Sequence, residues 1–415
     1  MSIKIINKIG ILINWPREVD MYENFLKIFN KKKLVYIIND AQNYKNESLN
    51  NVNNIKNSLY RKKLKKVYLS KIYKRSKYRY LISTALANPK KITFNSVFKF
   101  FYGKIFGRIL ITFKINLLFR LIFGRDFSAG GSEAKIYEEW YPERDLGLNT
   151  IFYPRGLDLR LKHFPNPKFE KIFDIFLCCG LLDLKLIKKK FKSKKCILIG
   201  YPRYDKGISF YQAKKKIFSE FNLSKHKKLI FWCPTHIEEK EEILKNITLW
   251  SEKIVKLKNK YNLLVRPHPK SLAMNQNLIQ DLKKIGFRVD VKLNRNMHEL
   301  YQVSDLVLCD YGGSVLSSIY LKKPLILLNL PKEYSFINRL IRNEALDYKI
   351  RDKVVSLNLD QVDDFKLNNM IKSTIKSHSS KKSNLLKIKY FGNLKKNNNQ
   401  IKGFVKKLSN NTYNL

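Results

Sequence analysis

Three short polar clusters carry residue types that could bind and activate a phosphate: Pro234-Thr235-His236, Arg266-Pro267-His268-Pro269 and Asp310-Tyr311-Gly312-Gly313-Ser314. In the second, Arg266 and His268 stand two positions apart, so a strand ending there sets them on one side while the prolines stiffen the backbone. A guanidinium beside an imidazole suits a diphosphate. Arginine supplies bidentate charged hydrogen bonds, and histidine can stabilise charge on a leaving phosphate. In the third cluster, Gly312 and Gly313 permit close backbone approach, and a helix beginning near Val315 would offer N–H donors and a positive dipole end. Ser314 either contacts a phosphate beside Asp310 or caps that helix. Thr235 has the same two readings, and His236 is either a base or phosphate ligand or a packed, hydrogen-bonded histidine. Nearer the N-terminus, Arg155-Gly156 with Asp158 and His163 are candidates to face an acceptor. Asp158 or His163 could act as a general base there, or be an ordinary surface residue.

No DxD pair, metal-spaced His/Cys set, Walker A loop or GxSxG elbow is present. Metal-dependent and serine-hydrolase mechanisms are therefore disfavoured, and no cofactor is expected.

The elements that must position these clusters are short apolar runs. Lys228–Cys233, Leu263–Val265 and Leu306–Cys309 each run directly into one cluster, and Leu325–Leu328 follows. Continuous apolar runs alternating with helical patterns read as buried parallel strands of an α/β sheet, whose ligands bind beyond the carboxyl ends. Helices are expected over Tyr211–Phe221 and Glu238–Lys260, and a late strand around Val354-Val355. Upstream, Lys8–Asn14, Leu34–Ile38, Thr150–Tyr153, Phe173–Cys179 and Lys195–Gly200 read as strands of a first domain, with a helix at Met21–Phe29. The polar, basic stretch from about Asn43 to Lys91 reads as helices and loops. Its interleaved Tyr and Lys between Tyr68 and Tyr80 suit a solvated helix face better than base stacking.

The turn-rich Gly200–Asp205 sets a boundary, giving domains 1–205 and 206–385 and a polar helical tail, 386–415, that could cross back to the first domain. The stretch 94–125 spaces six cations among aromatic and aliphatic residues and lacks the roughly 18–20 uninterrupted apolar residues of a membrane span. It fits either a helix lying on an anionic membrane face or a core helix with snorkelling cations.

The 415 residues carry 82 Lys+Arg against 34 Asp+Glu, a net charge of +48. Such a charge bears on partners, which could be phosphate-rich ligands, an anionic membrane or nucleic acid, or it reflects a general Lys and Asn bias. The hydrophobic fraction of 44% is that of a folded protein. Five cysteines without CxxC spacing read as buried thiols of a reducing compartment. With no cleavable leader evident, a cytoplasmic location is expected, with peripheral contact at the inner membrane face.

The series IGYPRYD (Ile199–Asp205), IFWCPTH (Ile230–His236), LLVRPHPK (Leu263–Lys270) and SDLVLCDYGGSV (Ser304–Val315), with KKPLILL (Lys322–Leu328), resembles the CDP-glycerol glycerophosphotransferases in order and spacing. The resemblance runs from about Leu148 to Leu330. It implies the GT-B fold, two Rossmann-like domains with parallel sheets facing a cleft, and a nucleotide-linked donor held by the C-terminal domain. It also implies metal-independent displacement at a nucleotide diphosphate, with a polymer or lipid-linked acceptor at the inner membrane face. The family's R-x-H-P histidine maps onto His268, its arginine onto Arg266 and its aspartate onto Asp310. The chain departs from the pattern at Arg155-Gly156, where the family has a His-Gly pair implied as base, and at Gly312-Gly313, where it has paired serines.

The sequence thus reads as a transferase moving a glycosyl or glycerol-phosphate-type unit onto a cell-surface polymer. A sugar-nucleotide 2-epimerase-like enzyme and a non-enzymatic basic nucleic-acid or membrane-binding protein are the alternatives. Nucleic acid is the least expected partner.

Overall fold

The computed structural model describes residues 3–40, 46–72, 76–85, 88–89, 139–157, 161–205, 207–275, 277–292, 295–393 and 398–410. Asp158 and the basic stretch 94–125 lie outside the described residues.

The first sheet is built from β1 (Lys4–Ile13), β2 (Leu34–Ile38), β3 (Lys66–Tyr68), β4 (Ser76–Ser83), β7 (Gly147–Phe152), β8 (Ile175–Cys178) and β9 (Lys195–Leu198). A separate two-stranded sheet pairs β5 (Asn88–Pro89) antiparallel with β6 (Glu139–Trp140). The strand order is β3-β2-β1-β4-β7-β8-β9 and every pairing is parallel. The second sheet contains β10 (Leu229–Cys233), β11 (Asn262–Val265), β12 (Arg288–Val289), β13 (Leu306–Cys309), β14 (Leu325–Asn329) and β15 (Ser356–Asn358). Its order is β12-β11-β10-β13-β14-β15, again all parallel. Strands such as LVYII and LIFWC are buried along their whole length because helices cover both faces of each sheet. This is the two-domain α/β architecture expected from the apolar runs.

Register brings the polar clusters together. Cys233 pairs with Cys309 and Trp232 with Val265. Thr235, Asp310 and His268 therefore leave the sheet at a common edge, beyond the carboxyl ends of β10, β13 and β11.

Two expected elements differ. The stretch read as helix and loop contains β4, a central strand flanked by β1 and β7. Its Tyr78, Tyr80, Leu81 and Ile82 are buried, so the tyrosines pack in the core and cannot stack on bases. The helix expected over Glu238–Lys260 is broken into a 3₁₀ turn at Lys240–Glu242, a helix at Lys245–Ile254 and a second 3₁₀ turn at Val255–Leu257. The Glu242 carboxylate is engaged elsewhere. It accepts from Ser335 N (2.6 Å), Ser335 Oγ (2.9 Å) and Phe336 N (3.0 Å), capping the Ser335–Arg342 helix. Leu244 turns the chain with φ 63° between these pieces.

The domains share one apolar cluster. Leu157, Cys179 and Tyr201 from the first domain pack with Tyr320, Leu346 and Phe391. Tyr320 Oη donates to Asp205 Oδ1 (2.6 Å) and accepts from Tyr201 N (2.8 Å). The Ser380–Phe391 helix comes so near Gly180 that a Cβ there would lie 2.7 Å from Phe391 Cα. The Asn398–Ser409 helix lays Phe404, Val405 and Leu408 on the first domain's core. Among the described residues no helix is long and apolar enough to cross a membrane. All five cysteines are free, and four of them are buried.

Candidate active site

At the carboxyl edge of the second sheet, His236 and His268 stack with ring centroids 5.7 Å apart and planes inclined by 22°. His268 ends the β11 segment and caps the Pro269–Met274 helix, its Nδ1 accepting from Lys270 N at 3.2 Å. With Nδ1 accepting, the neutral ring carries its proton on Nε2. His236 Nδ1 shares a 3.0 Å hydrogen bond with Ser271 Oγ. Partial burial, helped by the Lys270 charge, holds the His236 pKa below its ordinary value, so its neutral form predominates near pH 7.

The loop after β13 supplies the opposite wall. Gly312 adopts φ 80°, ψ −163°, a conformation open essentially to glycine, and a Cβ there would meet Thr235 Oγ1 at 3.3 Å. Its N–H donates to Asp347 Oδ2 at 2.7 Å. Gly313 then opens the Gly313–Tyr320 helix, whose first amides point back at this edge. Ser314 Oγ donates to Tyr311 O at 3.2 Å. Thr235, Gly312, Gly313, Ser314, His236 and His268 are thus brought to one edge.

Asp310 stands apart from that group. It is buried and works as a strut between strand ends. Oδ1 accepts from Thr235 N and from Tyr311 N, each at 2.7 Å, and Oδ2 accepts from Asn246 Nδ2. Burial raises its pKa from 3.8 to about 6, against the pull of those donors. Arg266 differs from its expected role as a diphosphate clamp. Its Nη1 is ion-paired with Asp290 and its Nη2 donates to Lys292 O at 2.7 Å. Asp290 also holds Arg295, which bonds Glu220 in turn, so the guanidinium belongs to a buried ion-pair chain.

Arg351 carries no motif signal in the sequence. This half-buried residue lies 4.1 Å over the Tyr311 ring, donates through Nη2 to Asp310 O, and leaves Nε and Nη1 without hydrogen-bond partners. It helps line a cavity of about 440 Å³ with Tyr311, Asn329, Lys332, Tyr348 and Asn358. The Asp290 signal was faint, because Arg288 interrupts the apolar residues before Val289-Asp290, unlike the unbroken run before Asp310. The Arg351 signal was absent, since only the fold sets it against Tyr311.

On the first domain, Arg155 Nη2 donates to Ala85 O. Beneath it lie two buried carboxylates that sequence reasoning missed. Glu18 accepts from Asn14 N (2.7 Å) and Thr84 Oγ1 (2.6 Å), and Glu143 accepts from Ser83 Oγ (2.7 Å). Burial raises Glu143 to about 7 and pushes Glu18 upward, and the Arg155 charge opposes both shifts. His163 is not brought to this cluster. Its Nε2 bonds Asn343 Oδ1 at 2.9 Å, tying the domains together. Among the described residues no His/Cys/Asp/Glu group could hold a metal ion.

Residues 182–339 match the family model described as CDP-Glycerol:Poly(glycerophosphate) glycerophosphotransferase. No curated protein matches the sequence. Among solved structures, the chain is similar to the wall teichoic acid polymerase TagF at 12% identity and TM-score 0.56, covering 99% of this chain and 91% of that one. A histidine-to-asparagine variant of TagF soaked with CDPG matches at 14% identity and TM-score 0.54, covering 98% and 90%. At these identities the likeness concerns the fold, which is GT-B.

Proposed function

We propose, starting from residues 182–339 as a region of the CDP-glycerol glycerophosphotransferase family, that this protein is a transferase. It moves a glycerol-phosphate-type unit from CDP-glycerol to a teichoic-acid-type polymer. The observation that carries this reading is the stacked His236–His268 pair facing the Gly312–Ser314 helix start at one sheet edge, inside the family-matched region.

The reaction is displacement at the donor's distal phosphorus. The acceptor hydroxyl oxygen forms the new P–O bond, the diphosphate P–O bond breaks, and CMP leaves. The amides opening the Gly313–Tyr320 helix hold the donor phosphates, and His268 Nε2–H donates to the leaving phosphate as its charge grows. Arg155 remains a cation and cannot take the acceptor's proton. His236, kept neutral by burial and Lys270, takes it instead. On this reading no metal takes part, charge being met by histidine, amide and lysine groups. The basic segment 94–125 would hold the enzyme at an anionic membrane face where the polymer grows.

Calorimetry with CDP-glycerol and a glycerol-phosphate transfer assay test the roles separately. His268→Ala should lose donor affinity, whereas His236→Ala should keep it and lose on the order of 10²–10⁴ in kcat. Unchanged donor affinity in His268→Ala sinks the proposal. So does conversion of the donor without any acceptor, which marks an epimerase.

A further inference from the structure

The Gly313–Tyr320 helix has two functional ends. Its N-terminus opens at the candidate active site. About 12 Å along its axis, at the amino ends of β14 and β15, the chain that follows it borders a second cavity of about 500 Å³. That volume lies within the usual range for ligand sites, roughly 300–1,000 Å³. Its ionisable lining is Lys322, Lys323, Lys353, Lys382, Lys389 and His378, and among the described residues no carboxylate lines it.

These cations are crowded. Burial holds Lys323 down at about 8, with Asp305 opposing, and Lys353 pushes the exposed Lys389 downward with Asp352 opposing. His378 is lowered by burial and by the Lys323 charge. Helix dipoles do not account for the cluster. The C-termini of the Gly313–Tyr320 and Asp364–Ser377 helices bring about half a negative charge each, and the N-terminus of Ser380–Phe391 returns about half a positive charge. Five ammonium groups, less Asp305 and Asp352, less that dipole balance, leave a charge of roughly +2 to +3 around the cavity. Thr374, buried at 8% exposure, completes the polar wall with Ser377, Ser379 and Ser383.

We propose that this cavity is an exosite for a phosphodiester polyanion, the polymer that the transferase extends. The identity of the polymer rests on the proposed function; the anion site does not. Lysine suits this ligand better than arginine. Ammonium groups on flexible stems act as point charges that follow repeated singly charged phosphates, whereas a guanidinium fork fixes one phosphate in one geometry. Pro324, Val354, Leu385 and Leu386 supply apolar wall for the carbon units between phosphates. A chain held there, behind the donor edge, stays with the enzyme between transfers.

The test is binding of inorganic polyphosphate by the full-length protein, followed by calorimetry, with CDP-glycerol titrated in parallel. Lys353→Gln/Lys382→Gln/Lys389→Gln alters only exposed residues. It should weaken polyphosphate at least tenfold and leave CDP-glycerol affinity and thermal unfolding unchanged. A control of equal charge loss at other exposed lysines, Lys215→Gln/Lys283→Gln/Lys284→Gln, should change polyphosphate affinity less than twofold. Unchanged affinity in the cavity variant overturns the site, and an equal loss in the control reduces it to the overall charge. Loss of phosphatidylglycerol-vesicle binding with polyphosphate binding intact assigns the cavity to a lipid surface and overturns the polymer. If wild-type protein fails to bind CDP-glycerol, the transferase reading fails, while the polyphosphate result still decides the cavity.

Discussion

Asp310→Ala removes the acceptor of three N–H groups, on Thr235, Tyr311 and Asn246. Leaving a buried donor unsatisfied costs about 1–3 kcal/mol, and water can reach half-buried Thr235, so two losses of about 2–6 kcal/mol in total remain. Against this stands relief of a desolvated charge. A rise from 3.8 to about 6 corresponds to roughly 3 kcal/mol given up by the native state once the group ionises. The net change at pH 7 should therefore be small, between a gain of about 1 and a loss of about 3 kcal/mol. The sign of the pH dependence follows from the raised value. Such a group contributes stability below pH 3.8 and loses it as pH rises through 6. Between pH 7 and pH 4.5 the variant's deficit should consequently widen by about 2 kcal/mol. Urea unfolding followed by circular dichroism at the two pH values measures both quantities, and calorimetry with CDP-glycerol provides the contrast. A variant within about 0.5 kcal/mol of the native protein at both pH values, yet tenfold weaker for donor, would make Asp310 a ligand contact and refute the strut.

Gly312→Ala should cost on the order of 1–3 kcal/mol, because φ 80°, ψ −163° is strained for any residue with a Cβ, and the added methyl presses on Thr235. Thermal unfolding and donor affinity should fall together. Glu143, raised from 4.5 to about 7 by burial, contributes stability below pH 4.5 that is lost as pH rises through 7. Glu143→Gln should flatten that part of the urea-stability profile, worth roughly 3 kcal/mol, and an unchanged slope would contradict the assignment. Arg295→Met leaves Asp290 and Glu220 without their shared partner and should cost about 3–5 kcal/mol in the same melts. Arg266→Met should behave similarly in stability while CDP-glycerol affinity stays within a factor of about two, since its charge is already neutralised by Asp290.

The donor edge was legible because strands buried on both faces write themselves as unbroken apolar runs, and a polar cluster at the end of such a run can only be a strand end. LIFWC, NLLV and LVLC are of this kind. SKYRYLIS is not. Its tyrosines and cations look like a solvated helix until sheet neighbours on both sides bury the rings. Side-chain roles were less legible than positions. Arg266 beside His268 looks like a phosphate clamp, yet the fold sets Asp290 against it from the neighbouring strand end. Glu18 lies far in sequence from Glu143 and Arg155, which flank β7, and only the ordering of β1, β4 and β7 makes the three neighbours.

The Asn398–Ser409 helix has a consequence for how the protein is made. Ile401, Phe404, Val405 and Leu408 join a core that begins with Ile9 and Ile11, so that core is complete only after residues beyond the second domain have been synthesised. Until then the apolar surface around Ile197 and Ile199 lacks part of its cover, which lengthens the time the nascent first domain exposes apolar groups.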